Sequence, residues 1–287
     1  MAEPATLAAA LDWARRQIDP VDARVLLCHV AGVSHGALRG FGERALPASD
    51  RQRFETLVRR RADGEPVAYL VGVREFYSRV FRVGSGVLIP RPETEGLVAA
   101  ALDCVAGGDG LRALDLGTGS GVVAITLALE LGRRAASVIA VDRSTTALAY
   151  ASMNAGALGA RIDFRLGDWY AGLDGQAFDV IVANPPYVAD GDPHLASGDL
   201  RYEPVQALAS GEDGLDAMRT IVAGAGAHLC EGGGLVVEHG HDQAAAVRRL
   251  MSDAGLANVR SLSDLAGIER VTVARRAVDA GCRRTVD

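Results

Sequence analysis

The chain has 287 residues, 49% of them hydrophobic, and a formal net charge of −6. That is enough apolar material for two cores rather than one, and no stretch approaches the ~18 uninterrupted apolar residues of a membrane span. The acidic balance argues against bare nucleic acid as the main partner, because phosphate binding wants a basic face. All 30 basic residues are arginine, as expected of a chain encoded by a GC-rich genome. Cys28, Cys104, Cys230 and Cys282 are far apart with no Cys-x-x-Cys, so neither a zinc knuckle nor a redox pair is expected. His239 and His241 flank Gly240 without further ligands nearby, and no metal is expected there. The N-terminus lacks a charged segment followed by an apolar run, so no signal peptide is expected, and a reducing cytoplasm is the expected location.

The first 75 residues read as a small all-helical domain. Leu7, Leu11 and Ala14 recur at helical spacing, as do Val25, Leu26 and Val30, and then Phe54, Leu57 and Val58. Asp19-Pro20 and Pro47-Ala48-Ser49-Asp50 are helix-start signals between them. Arg51, Arg53, Arg59, Arg60 and Arg61 crowd the third helical stretch, which reads as a solvated face or as a contact surface for RNA or an acidic partner. Alternating runs from Glu75 to Leu88 predict a β-hairpin, taken as a linker over residues 76–90. Pro90 and Pro92 stop it, and Thr94 and Glu95 suit the first turn of a helix through Val105.

Over residues 91–277 strand and helix alternate. Strands are expected at Leu111–Leu116, Ser137–Val141, Arg161–Leu166, Phe178–Ala183, Gly234–Glu238, Val259–Ser263 and Arg270–Ala274. Only Asp264-Leu265-Ala266-Gly267 separates the last two, so the final strand is expected to run antiparallel in an otherwise parallel sheet. Residues 278–287 read as a disordered tail.

Asp115-Leu116-Gly117-Thr118-Gly119-Ser120-Gly121 leaves the first of these strands and opens a helix. Such glycines let the backbone turn sharply and approach a ligand, but the spacing is Gly-x-Gly-x-Gly rather than that of pyrophosphate binding. Asp142, ending the second strand, suits ribose hydroxyls. Asp168 after the third suits an adenine amino group, and Trp169 a ring face. With Asp115 placed to neutralise a positive amino-acid moiety, the set fits S-adenosyl-L-methionine better than a dinucleotide. Asn184-Pro185-Pro186-Tyr187 follows the fourth strand. A planar amide or aryl amine delocalises its lone pair. Two acceptors on its two N–H bonds, the Asn184 side-chain oxygen and the Pro185 carbonyl, would aim that lone pair at a methyl group. Pro186 stiffens the turn and Tyr187 can lie on the flat face of the group.

These motifs together resemble class I S-adenosyl-L-methionine-dependent methyltransferases that act on planar nitrogens. Val87-Leu88-Ile89-Pro90-Arg91-Pro92-Glu93-Thr94-Glu95, Gly167-Asp168-Trp169, Glu203-Pro204 and Gly211–Leu215 narrow the resemblance to the release factor glutamine methyltransferases. That resemblance implies a Rossmann-like seven-stranded, mostly parallel sheet with a small N-terminal helical domain. It implies that Gly117–Gly121, Asp142, Trp169 and Asn184 hold the cofactor and that Asn184–Tyr187 hold a substrate glutamine. The implied partner is a class 1 peptide chain release factor, methylated at N5 of the glutamine in its Gly-Gly-Gln loop to tune translation termination. No stable nucleic acid or membrane partner is expected. Two residues depart from the family pattern: Ser78-Arg79 stands where the hairpin often has glycine, and His239 where isoleucine is usual. The alternatives are a nucleic-acid base N-methyltransferase, which must catch a base and hold phosphates, and a non-catalytic module that only docks on a partner.

Overall fold

The computed structural model describes residues 6–278; Cys282 and all but the first residue of the expected tail lie outside them. Five helices come first: α1 (Leu7–Ala14), α2 (Pro20–Ala31), α3 (His35–Gly40), α4 (Ala48–Ala62) and α5 (Val67–Val71). Side chains of Thr6, Asp19 and Ser34 cap the first three. Leu7, Leu11, Leu26, Leu27, Phe54 and Val58 close one small core. The two short helices, α3 and α5, give too few turns for a periodic signal, and the sequence pattern did not reveal them.

The hairpin pairs β1 (Val73–Phe76) with β2 (Arg79–Arg82), so it begins inside the stretch read as helical and ends before the expected residue 90. Tyr77 and Ser78 form the turn at φ 50° and 58°, the positive angles a two-residue hairpin of primed type demands and glycine usually supplies. Glu95 compensates by accepting the Tyr77 N–H at 2.8 Å. Arg79 donates to the Tyr77 carbonyl at 3.2 Å and to Glu130 at 2.6 Å. Gly84 to Ile89, also expected in the hairpin, is irregular.

The rest is a sheet with helices on both faces. Its elements run α6 (Thr94–Cys104), β3 (Leu111–Leu116), α7 (Val122–Leu131), β4 (Ala135–Asp142), α8 (Thr145–Leu158), β5 (Asp163–Leu166), β6 (Phe178–Ala183), α9 (Asp216–His228), β7 (Leu229–Glu238), α10 (Ala244–Asp253), β8 (Ala257–Ser263) and β9 (Glu269–Arg275). All seven expected strands are present; β4, β7 and β8 start earlier than the pattern indicated. The strand order is β5-β4-β3-β6-β7-β9-β8, and β9 alone runs antiparallel to both of its neighbours. Chain order reverses between β3 and β6, which pair in parallel with Leu116 opposite Ala183. The loops that leave these two strands therefore emerge side by side, at the switch point where open α/β sheets bind ligands. Apolar side chains fill both faces, Val180, Val182 and Val236 on one and Ile181, Leu235 and Val237 on the other. No described helix is long and apolar enough to cross a membrane.

Candidate active site

The carboxyl ends of β3, β4 and β6 open onto a cleft of about 350 Å³. Its floor is the glycine loop, with Asp115, Gly117, Thr118, Gly119 and Ser120. Asp115 is buried and accepts from the Thr118 hydroxyl at 2.7 Å and from the Ala124 N–H at 3.2 Å, locking the loop onto the start of α7. Desolvation pushes its carboxyl up to about 7, against these two hydrogen bonds and with the charge of Asp142 adding to the rise. Asp142 accepts from Gly119 N–H at 2.9 Å and from Ser144 N–H at 2.8 Å, so it fixes the loop as well as facing the cleft. Trp169, itself at φ 48°, lies over Gly117, close enough that a Cβ there would meet the indole at 3.5 Å. Asp168 is exposed and borders the same cleft.

Asn184 and Pro186 line the opposite wall. Pro185 is buried and Tyr187 half-buried, and neither borders the cleft. Burial raises the Tyr187 hydroxyl to about 12, with the nearby Glu238 charge as a second cause, so Tyr187 stays a neutral phenol in this setting. The Asn184 Nδ2 donates to the Thr94 hydroxyl at 3.2 Å. Its Oδ1 has no hydrogen-bond partner among the described residues. Gly121 does not border the cleft. It caps α7 at φ 85°, and a Cβ there would meet Ile125 at 2.9 Å and Ala151 at 3.0 Å, so it serves helix packing.

Several residues with no role assigned from sequence hold this site together. Glu203 has a buried carboxylate that accepts the Ile89 N–H at 2.9 Å and pairs with Arg91, which borders the cleft. The Val87–Glu95 run and the Glu203-Pro204 pair, separate signals in the sequence, are thus two sides of one joint. Asn154 on α8 donates to the carbonyls of Arg82 at 3.0 Å and Ser120 at 2.8 Å, tying hairpin to glycine loop. Gln243 donates to the Tyr187 carbonyl at 3.0 Å and accepts the Gly240 N–H at 2.9 Å. His239 is buried, with Nδ1 on the Gly240 carbonyl and Nε2 on Thr272, both at 2.9 Å; these bonds hold the end of β7 where isoleucine was expected. An interior asparagine or glutamine carries no periodic signature, and only the partners brought to it by the fold reveal its use.

Of the arginines on α4, Arg51, Arg53, Arg59 and Arg60 are exposed, as a solvated face would have them, and Arg61 is half-buried. Arg61 reaches Asp22 at 2.7 Å and Asp199 at 2.8 Å, and Arg60 pairs with Glu65. Arg51 and Arg59 flank Glu55 one helical turn away. Arg61 therefore joins the helical domain to the segment after the Asn184–Tyr187 turn, where Tyr202 also donates to the Asp63 carbonyl at 2.9 Å.

A glycine loop, a carboxylate ending the next strand and an amide-proline turn, gathered at the switch point of a seven-stranded sheet, define an S-adenosyl-L-methionine-dependent methyltransferase. Family models agree: residues 6–72 match the PrmC N-terminal domain and residues 97–199 the methyltransferase small domain. The chain is 51% identical to a release factor glutamine methyltransferase of Burkholderia pseudomallei, over 90% of this chain and 92% of that one. It is 49% identical to one of Xylella fastidiosa strain Temecula1, over 96% and 98%. A methyltransferase structure from Pyrococcus furiosus shares the fold at 16% identity, with a TM-score of 0.53, covering 80% of this chain and 100% of that one. The chain belongs to the release factor glutamine methyltransferase family.

Proposed function

We propose that this enzyme transfers the methyl group of S-adenosyl-L-methionine to the N5 side-chain amide nitrogen of the glutamine in the Gly-Gly-Gln loop of class 1 peptide chain release factors. The observation that carries the reading is the amide of Asn184. Its nitrogen gives one N–H to Thr94 and its oxygen can accept one N–H of a substrate amide; the carbonyl of the next residue, Pro185, which does not itself border the cleft, is assigned as the second acceptor.

The cleft fits the cofactor. Asp115 offers a buried carboxylate to the ammonium group, Asp142 the ribose acceptor, and Trp169 with Asp168 the adenine end; Thr118 and Ser120 belong to the same cradle. When bound, the cofactor supplies an electrophilic methyl on a sulfonium. Asn184 and Pro185 hold the substrate nitrogen with its lone pair directed at that carbon. On receiving that methyl group the amide nitrogen would give up one proton to water, with Asn184 and Pro185 still holding it in place. Tyr187, neutral and half-buried just beyond the cleft, is assigned to the flat face of the group. No general base is required, since two acceptors rather than deprotonation make the nitrogen nucleophilic. The helical domain, joined to the segment after the turn by Arg61 and Asp199, is assigned to gripping the release factor outside its loop. The expected location is the cytoplasm, where that substrate works.

The test is transfer of labelled methyl to three acceptors: purified release factor, its loop Gln→Ala variant, and nucleic acid. Label on the native factor alone is the expected result. Label on nucleic acid, or surviving in the Gln→Ala variant, overturns the assignment, and no transfer at all favours a docking module.

A further inference from the structure

The glycine loop is permissive by composition, so its shape must be held by its surroundings. Gly119 and Gly121 sit at φ 55° and 85°, angles that glycine adopts freely and leaves as freely. The loop's N–H groups are tied to β4 and to the loop itself. Those of Gly117 and Thr118 donate to the Val141 carbonyl at 2.9 and 3.0 Å, that of Gly119 to Asp142 at 2.9 Å, and that of Gly121 to the Thr118 carbonyl at 2.9 Å. The Ser120 carbonyl is tied instead to α8: Asn154 Nδ2 donates to it at 2.8 Å. Both residues are buried, Ser120 at 2% exposed and Asn154 at 1%.

Asn154 is itself fixed by the linker. Its Oδ1 accepts the Arg82 N–H at 2.7 Å and its Nδ2 donates to the Arg82 carbonyl at 3.0 Å. The side-chain amide thus pairs with the backbone of β2 as a neighbouring strand would. All three bonds require one orientation of the amide; turned over, its NH₂ would confront the Arg82 N–H and its oxygen two carbonyls. The linker is held in reach because it lies close along α8. Thr146, Tyr150 and Asn154 recur every four residues on one face of that helix, opposite Gly86, Gly84 and Arg82 in turn. A Cβ on Gly84 would collide with the Tyr150 hydroxyl, and one on Gly86 with the Thr146 methyl group.

We propose that Asn154 is a positioning residue for the cofactor: it holds the Ser120 carbonyl, and with it the glycine loop, in the binding shape against linker strand β2. This rests on the S-adenosyl-L-methionine assignment above. Without Asn154 the Ser120–Gly121 peptide loses its buried partner and, beside glycine, turns to other orientations. Binding then selects a minor competent fraction, and the apparent Kd rises as that fraction falls. Arg82 does not border the cleft, so the same side chain carries the effect of cofactor binding outward to the linker.

The experiment titrates the full-length enzyme with S-adenosyl-L-methionine alone, by calorimetry. Asn154→Ala is expected to raise the Kd about tenfold or more, while kcat on release factor at saturating cofactor stays within about threefold of wild type. Ala155→Gly is the control for general loosening of α8, since Ala155 faces the core; it is expected to lower Tm and leave the Kd within about twofold. In the wild-type enzyme the cofactor should slow hydrogen exchange at the Arg82 N–H, outside the cleft. A wild-type Kd in Asn154→Ala, an equal rise in Ala155→Gly, or a kcat at saturation that falls as much as the Kd rises would each overturn the inference. Should Asn154→Ala not fold, the wild-type exchange decides: an Arg82 N–H indifferent to cofactor refutes. A wild-type enzyme that does not bind S-adenosyl-L-methionine would instead overturn the cofactor assignment and this inference with it, whereas normal wild-type binding with an undisturbed Asn154→Ala variant overturns the inference alone.

Discussion

Cofactor affinity should depend on pH through Asp115. Its carboxyl is buried, and desolvation lifts it from an ordinary 3.8 to about 7 in the unliganded protein. Because the folded value lies above the unfolded one, ionising this group costs the unliganded protein stability as pH climbs from near 4 to near 7. A cation beside it reverses that cost: an ammonium group stabilises the carboxylate and pulls its pKa down. If only the ionised form binds well, the apparent Kd scales as one plus the ratio of protonated to ionised Asp115. With a pKa of about 7 the apparent Kd at pH 6 is about tenfold weaker than at pH 8, or about 1.4 kcal/mol. Binding at pH 6 should also release close to one proton. Isothermal calorimetry at pH 6, 7 and 8, each in two buffers of different ionisation enthalpy, measures both quantities. Asp115→Asn should bind more weakly at pH 8 and lose the pH dependence. An affinity that is flat from pH 6 to 8, with no buffer dependence of the heat, would refute the role given to this carboxylate.

Other expectations follow from single contacts. Asn184→Ala removes one of two acceptors and should lower kcat by about 10²- to 10³-fold with the fold intact, measured by methyl transfer alongside circular dichroism. Asp142→Ala removes the carboxylate proposed for the ribose and also the anchor of Gly119 and Ser144; cofactor Kd should rise more than kcat falls, and an unchanged Kd would contradict the proposed role. Arg91→Ala leaves the buried Glu203 carboxylate without its cation and should cost about 3 kcal/mol in denaturant unfolding. Gly121→Ala places a methyl against Ile125 and Ala151 at a positive φ, and about 1–3 kcal/mol of stability should be lost, seen as a lower Tm even with cofactor saturating.

The strands were legible because each carries a dense apolar run bounded by turn residues, and their number and the reversal of β9 followed from loop lengths. Asp115, Gly117, Thr118, Gly119, Ser120, Asp142, Asn184 and Pro186 meet at one cleft, and they stand out in the sequence because they lie in short motifs at strand ends. The hairpin was misplaced by a few residues, because Tyr77-Ser78 has none of the usual turn composition and is held by Glu95, eighteen positions away. Gly121 reads in the sequence as one more glycine of its loop; only the approach of α8 shows that a Cβ there would meet Ala151. The arginine row of α4 looked like an open charged face, and the fold turns Arg61 inward to two carboxylates.

By itself the sequence determined the alternation of strand and helix, the two cores and the local chemistry of three loops, since hydrophobic periodicity and turn residues act over a few positions. The tertiary structure decided which loops meet. Leu116 lies opposite Ala183 and Ala183 beside Val237 because of strand order, and that order depends on long-range packing of buried faces that resemble one another in sequence. The Thr94 hydroxyl and the Asn184 amide come from distant positions of the chain and meet at 3.2 Å. That hydrogen bond exists only once α6 has been brought to the end of β6.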